Sequence, residues 1–390
     1  FSVIELLGRL SIDKDNKHNI AKAELEVIGN MYRQRRYDEC IKEVKSKLKR
    51  SPNSLHLLNY QAMAYSALKR DKEALLSYQK IIEKDPTLAG PYYNMGIILK
   101  RNERLEEAID NYKKAISLKP DYVQAYNNLG VLYKDSKKYE SAIKMFTKAT
   151  KFQPDHQNSY YNLALIKKEQ GFNEEAIEFL SKVLDLNPEH SEANLLLITA
   201  STELGIKFHK EGNHKEALKY FSLVTDLNQS VAFGFYNVGN TYLELEDFKN
   251  AKANYEKALR LEPDYEPALG NLAVVYRKLG EIEKSLGCSN EAIKINPKKS
   301  GNYYNKALTL SEADRIDEAE ENYRKAIRLD PKDIGSYQNL ALIHQERGQI
   351  KEGLDIIKKA LEFEPHHADI NHLMGILSLQ LSRFAEGWKY

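Results

Sequence analysis

The sequence predicts an all-α fold, in which about ten antiparallel helix pairs stack into an α-solenoid. The first observation is a fixed interval of 34 residues between prolines, at Pro52, Pro86, Pro120, Pro154 and Pro188 and again at Pro263, Pro297, Pro331 and Pro365. The second is that apolar residues within each interval follow the period of a helix twice. One such unit cannot bury its apolar face alone, so we expect neighbouring units to stabilise one another.

The unit that starts at Val123 shows both helices. Apolar residues of its first helix recur three, four and seven positions apart, at Tyr126, Leu129, Gly130 and Tyr133. Its second helix carries Ala142, Phe146 and Ala149 on one face, and Pro154 ends it because proline cannot continue a helix. Small residues such as Gly96 and Gly130 let paired helices approach closely, and a large aromatic on the second helix fills the remaining space.

The proline interval divides the chain into repeats. We expect a non-repeat segment at 1–20, repeats 1 to 5 at 21–190, repeat 6 at 191–231, repeats 7 to 10 at 232–367 and a partial eleventh repeat at 368–390. Repeat 6 is seven residues longer than the others and has Gln229 in place of proline. Because seven residues span almost two full helical turns, we predict that its first helix is lengthened without a break.

One repeat departs from the pattern inside its second helix. Ser285 stands where alanine is usual, and Gly287 follows it. Glycine in a helix interior costs about 0.5–1 kcal/mol relative to alanine. We therefore expect a locally weak helix pair in the repeat that starts at Glu266.

Composition argues against several classes of function. The chain has 58 Lys+Arg against 56 Asp+Glu, a formal net charge of +2, so no nucleic-acid or membrane partner is indicated. No apolar run approaches the roughly 20 residues that span a bilayer. The two cysteines, Cys40 and Cys288, lack metal or redox spacing and are expected to be core residues. A reducing, cytoplasmic location is the expectation.

The spacing and residue pattern resemble the tetratricopeptide repeat (TPR) family over nearly the whole chain. The resemblance implies a right-handed TPR superhelix whose concave groove binds a polypeptide. The terminal run Arg383–Tyr390 stops partway through a second helix. It is similar to the last repeat of bacterial proteins in which TPRs precede a transferase domain, commonly a glycosyltransferase similar to O-linked N-acetylglucosamine transferases.

The sixth position of the first helices is the candidate binding position. It lies about 200° from the fourth position and so points away from the partner helix. Asparagine occupies it in seven repeats, at Asn94, Asn128, Asn162, Asn237, Asn271, Asn305 and Asn339, with Glu203 in the lengthened repeat. A carboxamide both donates and accepts hydrogen bonds, so a ladder of amides suits the backbone of an extended peptide. The alternative is that these asparagines bridge adjacent repeats.

Two further rows flank the asparagines. Aromatic residues precede four of them, at Tyr93, Tyr161, Tyr236 and Tyr304, and are expected to edge the groove. A partial basic line follows, at Lys100, Lys134, Lys168 and Arg277, which favours acidic peptides mildly.

No catalytic chemistry is predicted for this chain. His366, His367 and His372 lack the spacing of a helical metal pair, and no phosphate loop or nucleophile motif is present. We expect no cofactor, no metal and no catalytic residue. Two hypotheses remain: a non-catalytic scaffold that binds a protein or extended peptide, and the substrate-recognition region of a larger transferase. The oligomeric state is not predicted.

Overall fold

The computed structural model describes residues 22–381, and all regular secondary structure within that range is helical. The expected non-repeat segment at 1–20 and the terminal run Arg383–Tyr390 lie outside the described residues. The predicted all-α class is confirmed. The chain divides into two compact units, 1–197 and 198–390, which we describe separately as unit 1 and unit 2.

Unit 1 consists of helices that pack in consecutive pairs. Short turns join the two helices of a pair, so they run antiparallel. The helices are α1 (Lys22–Arg33), α2 (Tyr37–Leu48), α3 (Leu55–Ala67), α4 (Asp71–Lys84), α5 (Ala89–Arg101), α6 (Leu105–Leu118), α7 (Val123–Asp135), α8 (Tyr139–Phe152), α9 (Gln157–Glu169) and α10 (Asn173–Leu186). The next helix, α11 (Ser191–Lys210), is 20 residues long and contains the boundary between the units.

Unit 2 repeats the same arrangement. After α11 come α12 (His214–Leu227), α13 (Ala232–Glu244), α14 (Phe248–Leu261), α15 (Glu266–Lys278), α16 (Ile282–Ile295), α17 (Ser300–Glu312), α18 (Ile316–Leu329), α19 (Ile334–Glu346), α20 (Ile350–Phe363) and α21 (Ala368–Gln380). Within both units, second helices also pack against the first helix of the following pair, as α14 does against α15.

The turn within each pair has one residue in the left-handed region. In the pair α7 and α8 this residue is Lys137, with φ of 57°. The backbone N–H of Lys138 donates to the carbonyl of Tyr133 at 2.8 Å, which satisfies a carbonyl that the helix end leaves without an intrahelical donor. Four other turns use glycine at this position, at Gly171, Gly212, Gly280 and Gly348.

In several pairs the core depends on a small residue facing a large ring. A Cβ atom added to Gly130 would lie 2.7 Å from Cε1 of Phe146, and one added to Gly239 would lie 2.7 Å from Cε1 of Tyr255. Both rings are fully buried. At these two positions a side chain would have to displace the facing ring, which gives the physical reason for Gly130 and Gly239.

The departures from the repeat pattern are accommodated differently from one another. Ser285 is buried, donates its hydroxyl to the carbonyl of Ala273 at 2.8 Å and lies 2.9 Å from the hydroxyl of Thr309. Its hydroxyl group is therefore fully hydrogen-bonded, which leaves Gly287 as the source of the expected weakness.

Cys40 is buried in the core of unit 1, and burial raises the pKa of its thiol to about 11.

Candidate protein-binding surface

The seven asparagines occupy equivalent points on first helices and are all half-buried. The unit 1 asparagine row comprises Asn94, Asn128 and Asn162, on α5, α7 and α9. The unit 2 asparagine row comprises Asn237, Asn271, Asn305 and Asn339, on α13, α15, α17 and α19. Glu203, at the equivalent point of α11, is exposed. Half-burial means that part of each amide contacts protein rather than solvent.

Several of these amides bridge adjacent repeats. The Asn94 amide is hydrogen-bonded to the hydroxyl of Tyr78; burial raises the pKa of that hydroxyl, and the bond to Asn94 opposes the rise. Asn128 donates to the hydroxyl of Tyr93 at 3.3 Å. Asn271 donates to Oδ1 of Asn240 at 2.8 Å. These contacts support the structural interpretation for part of the two rows.

Asn240 is a hub that the sequence analysis did not identify. Its Oδ1 atom also accepts a hydrogen bond of 2.8 Å from the buried hydroxyl of Tyr255. One amide oxygen on α13 thus joins the second helix of its own pair to the first helix of the next. The sequence does carry a signal for the row asparagines, though not for Asn240 itself, because a tyrosine lies 16 residues before Asn94, Asn128 and Asn271 alike.

Other asparagines have no such hydroxyl beside them. The residue 16 positions before Asn162 is Phe146, and before Asn237 it is Phe221. In both cases the amide donates instead to the carbonyl four residues earlier in its own helix, at 2.8 Å. Asn305 follows Ser289 by the same interval. Asparagine therefore occurs at this position even where it has no buried tyrosine to satisfy.

The four tyrosines predicted to edge the groove are half-buried and pack against other rings. The ring of Tyr93 lies 5.9 Å from that of Tyr112 and 4.8 Å from that of Tyr122. The other three make similar contacts, Tyr161 with His190 at 5.0 Å, Tyr236 with Tyr265 at 5.2 Å and Tyr304 with Tyr323 at 6.0 Å. These rings contribute to packing between helices.

The three predicted lysines are also half-buried, and all lie in unit 1. Lys134 Nζ on α7 donates to Oδ1 of Asn162 on α9 at 2.9 Å. The basic line and the unit 1 asparagine row therefore belong to one surface. The equivalent position of α15 in unit 2 is Arg277, which forms an ion pair with Glu312.

An apolar row in unit 1 also escaped the sequence analysis. It comprises Ile97, Val131 and Leu165, each three residues after an asparagine of the unit 1 row. The side chain of Ile97 is 36% exposed, and the other two are half-buried. The signal was present in the spacing, since residues three apart on a helix are neighbours.

Two further kinds of feature would point to other functions, a metal-binding cluster and a membrane-spanning helix. Between residues 22 and 381, no group of three His, Cys, Asp or Glu side chains is placed to hold a metal ion. His366 and His372 are exposed. No helix in the described part of the chain is long and apolar enough to cross a membrane.

Paired helices stacked at a constant interval define a class of helical-repeat proteins that act as interaction scaffolds. The chain belongs to the tetratricopeptide repeat family. Profiles described as "Tetratricopeptide repeat" match residues 60–87, 77–110, 123–156, 155–230, 232–265, 266–299, 303–333 and 322–355, and one described as "TPR repeat" matches 98–137. The resemblance seen in the sequence is confirmed.

A curated relative matches part of the chain. It is the probable UDP-N-acetylglucosamine–peptide N-acetylglucosaminyltransferase SEC of Arabidopsis thaliana, 27% identical over 87 residues. That stretch covers 22% of this chain and 9% of the relative, so the chain spans only a small part of that protein's length.

Solved structures of repeat proteins are also similar. MamA is 25% identical, with 43% of this chain and 97% of that one covered and a TM-score of 0.40. YrrB, described as a TPR protein with an unusual peptide-binding site, is 29% identical, with 49% and 95% covered and a TM-score of 0.35. Yeast Tom70 is 15% identical, with 94% and 89% covered and a TM-score of 0.41.

Proposed function

We propose that this TPR protein holds an extended segment of a partner polypeptide along its asparagine rows. The observation that carries the proposal is the presence of asparagine after Phe146, Phe221 and Ser289, where no tyrosine hydroxyl requires an amide. The side-chain amides of Asn162 and Asn237 each donate to a backbone carbonyl of their own helix. Pairing with a buried tyrosine hydroxyl does not account for these members of the rows, although the side-chain oxygen of Asn162 also accepts a hydrogen bond from Lys134 of the preceding repeat.

The chemistry of the amide suits this role. An extended backbone presents N–H and C=O groups that are unsatisfied within the segment itself, and a carboxamide can pair with either. Each such bond contributes about 0.5–1.5 kcal/mol net, so a single contact is weak. A row of three or four equivalent amides makes the sum useful and leaves the partner's side chains free to differ.

The test uses variants of the asparagines that have no tyrosine 16 residues before them. Peptides of about 12 residues are first selected from a random library on the wild-type chain, a length that spans one row in extended form. The combined variant Asn162→Ala, Asn237→Ala and Asn305→Ala is expected to weaken each selected peptide by about two- to tenfold per contacted amide. Fluorescence anisotropy measures the affinities.

The bridging amides provide the matched control. Asn94→Ala, Asn128→Ala and Asn271→Ala remove contacts between repeats, so we expect a loss of stability of about 0.5–1.5 kcal/mol per bond. The combined variant of Asn162, Asn237 and Asn305 is expected to keep its thermal midpoint nearly unchanged. If every selected peptide binds the first variant as tightly as the wild type, the asparagine rows do not bind the partner backbone and the proposal fails.

A second function is supported by the match to the Arabidopsis transferase. In this case the chain would be the substrate-recognition region of a larger glycosyltransferase-like protein, and the same asparagine rows would hold the acceptor polypeptide. Sequencing the full reading frame separates the two functions. A long α/β extension after Tyr390 supports the transferase, whereas a stop codon after one further helix supports the free-standing scaffold.

A further inference from the structure

The surface of unit 1 carries a threefold pattern that unit 2 lacks. On each of three first helices an asparagine is followed three residues later by a branched aliphatic residue and six residues later by a lysine, as Asn94-Ile97-Lys100, Asn128-Val131-Lys134 and Asn162-Leu165-Lys168. Steps of three residues rotate by about −60°, so each triplet lies within an arc of about 120° on its helix. Amide, apolar and basic groups thus form three adjacent rows, which we call the triplet surface.

Direct contact shows that the rows of neighbouring helices meet. Lys134 Nζ of one triplet lies 2.9 Å from the amide oxygen of Asn162 in the next. The partner of this ammonium is a neutral amide. A carboxylate on a bound segment would offer the lysine a charge-assisted hydrogen bond, which is roughly twice as strong as a neutral one.

The equivalent positions of unit 2 differ in charge. The residues six positions after its asparagines are Leu243, Arg277, Ser311 and Gln345. The one cation among these four residues, Arg277, is paired with Glu312. Unit 1 has three lysines at this position and unit 2 has one arginine, so the attraction for acidic groups at this position is stronger in unit 1.

Helix spacing sets the period of a matching ligand. The first helices α7 and α9 contact each other, and packed helices lie about 8–10 Å apart, so the triplets of these two helices are separated by about that distance. A polyproline II segment has three residues per turn and rises 3.1 Å per residue, or about 9 Å per turn. Every third side chain of such a segment projects on the same side and meets one triplet after another.

We propose that the triplet surface recognises an extended polypeptide segment with a carboxylate at every third residue and apolar side chains between them. This inference rests on the proposed function, because the asparagines hold the backbone of the same segment. Lys100, Lys134 and Lys168 bind the carboxylates, and the row of Ile97, Val131 and Leu165 contacts the apolar side chains.

Three synthetic peptides test the period and the charge separately. The first repeats Pro-Val-Glu four times, the second replaces each Glu by Gln, and the third has the composition of the first with its four Glu residues contiguous. Fluorescence anisotropy on the wild-type chain is expected to show about tenfold tighter binding of the first peptide than of either of the other two, since three ion pairs at the protein surface each contribute modestly. A higher salt concentration is expected to reduce this difference in affinity, because salt screens the ion pairs.

Two lysine variants complete the experiment. Lys100→Gln, Lys134→Gln and Lys168→Gln together are expected to abolish the preference for the first peptide. The matched control is Lys114→Gln, Lys144→Gln and Lys182→Gln, which removes the same charge from exposed residues on second helices and is expected to keep the preference within about twofold. Equal effects of the two variants would show nonspecific attraction and overturn the proposal.

The remaining outcomes separate this proposal from the one on which it rests. If the Glu and Gln peptides bind equally but Asn162→Ala weakens both, the asparagine row binds backbone and the acidic preference is wrong. If none of the three peptides binds at millimolar concentration, the triplet surface does not take a segment of this kind. Retention of all binding by the Asn162→Ala variant would instead count against the asparagine row itself.

Discussion

Replacing Phe146 by alanine is expected to lower the free energy of unfolding by about 3–5 kcal/mol, the largest effect of any change considered for this chain. The ring is fully buried and packs with Ala142, Leu163 and Ile166. Its removal leaves a cavity against Gly130, which has no side chain with which to fill it. Urea unfolding followed by far-ultraviolet circular dichroism measures the loss.

Phe152 provides the control because it lies on the same helix, α8. Its side chain is 46% exposed and stacks against Tyr126 with ring centroids 5.8 Å apart. Phe152→Ala is expected to cost about 1 kcal/mol, the order of one aromatic contact plus partial burial. Equal losses in the free energy of unfolding for the two phenylalanines would show that the packing of the Phe146 ring against Gly130 is not the main source of stability in this pair.

The same substitution is expected to have opposite signs at two glycines of unit 2. At Gly239 a new Cβ would lie 2.7 Å from the ring of Tyr255, and overpacking of this kind costs about 1–3 kcal/mol. At Gly287 nothing lies within 4 Å of the new Cβ, so alanine gains helix propensity without a clash. We expect Gly239→Ala to destabilise by about 1–2 kcal/mol net and Gly287→Ala to stabilise by about 0.5–1 kcal/mol.

Thermal unfolding of the two glycine variants, measured in parallel with the wild type, checks these signs. Their chemical change is identical and both sites are helical, so the intrinsic propensity gain cancels in the comparison. A stabilising effect at Gly239 would mean that the Tyr255 ring moves easily and that the space between it and Gly239 is loosely packed. A destabilising effect at Gly287 would show that this glycine has a packing role.

Sequence periodicity was sufficient to predict the fold because the same residue pattern recurs in many repeats. First helices begin at Leu55, Ala89 and Val123, which are the starts that the 34-residue proline interval indicates. Glycine and its facing aromatic could be recognised in the same way. Contacts in a solenoid are confined to each repeat and its neighbours along the chain, so local pattern and global structure coincide.

Side-chain partners could not be predicted in this way. The sequence placed the seven asparagines at one helical position but did not show that Asn94 contacts Tyr78, or that Asn240 joins Tyr255 to Asn271. These bonds connect residues of different helices, and their formation depends on how the helices approach. The four tyrosines expected at a groove edge likewise pack against neighbouring rings.

By itself, then, the sequence determined the all-helical fold, the positions of the helix pairs and the identity of the residues that recur, since these follow from periodicity and backbone chemistry. Only the tertiary structure decided which asparagines bridge repeats and which do not, that Ser285 is fully hydrogen-bonded, and that Lys134 reaches Asn162. The physical reason is that a hydrogen bond forms only when the donor and acceptor lie within a few tenths of an ångström of their preferred distance. Spacing along the chain does not specify how closely two separate helices approach.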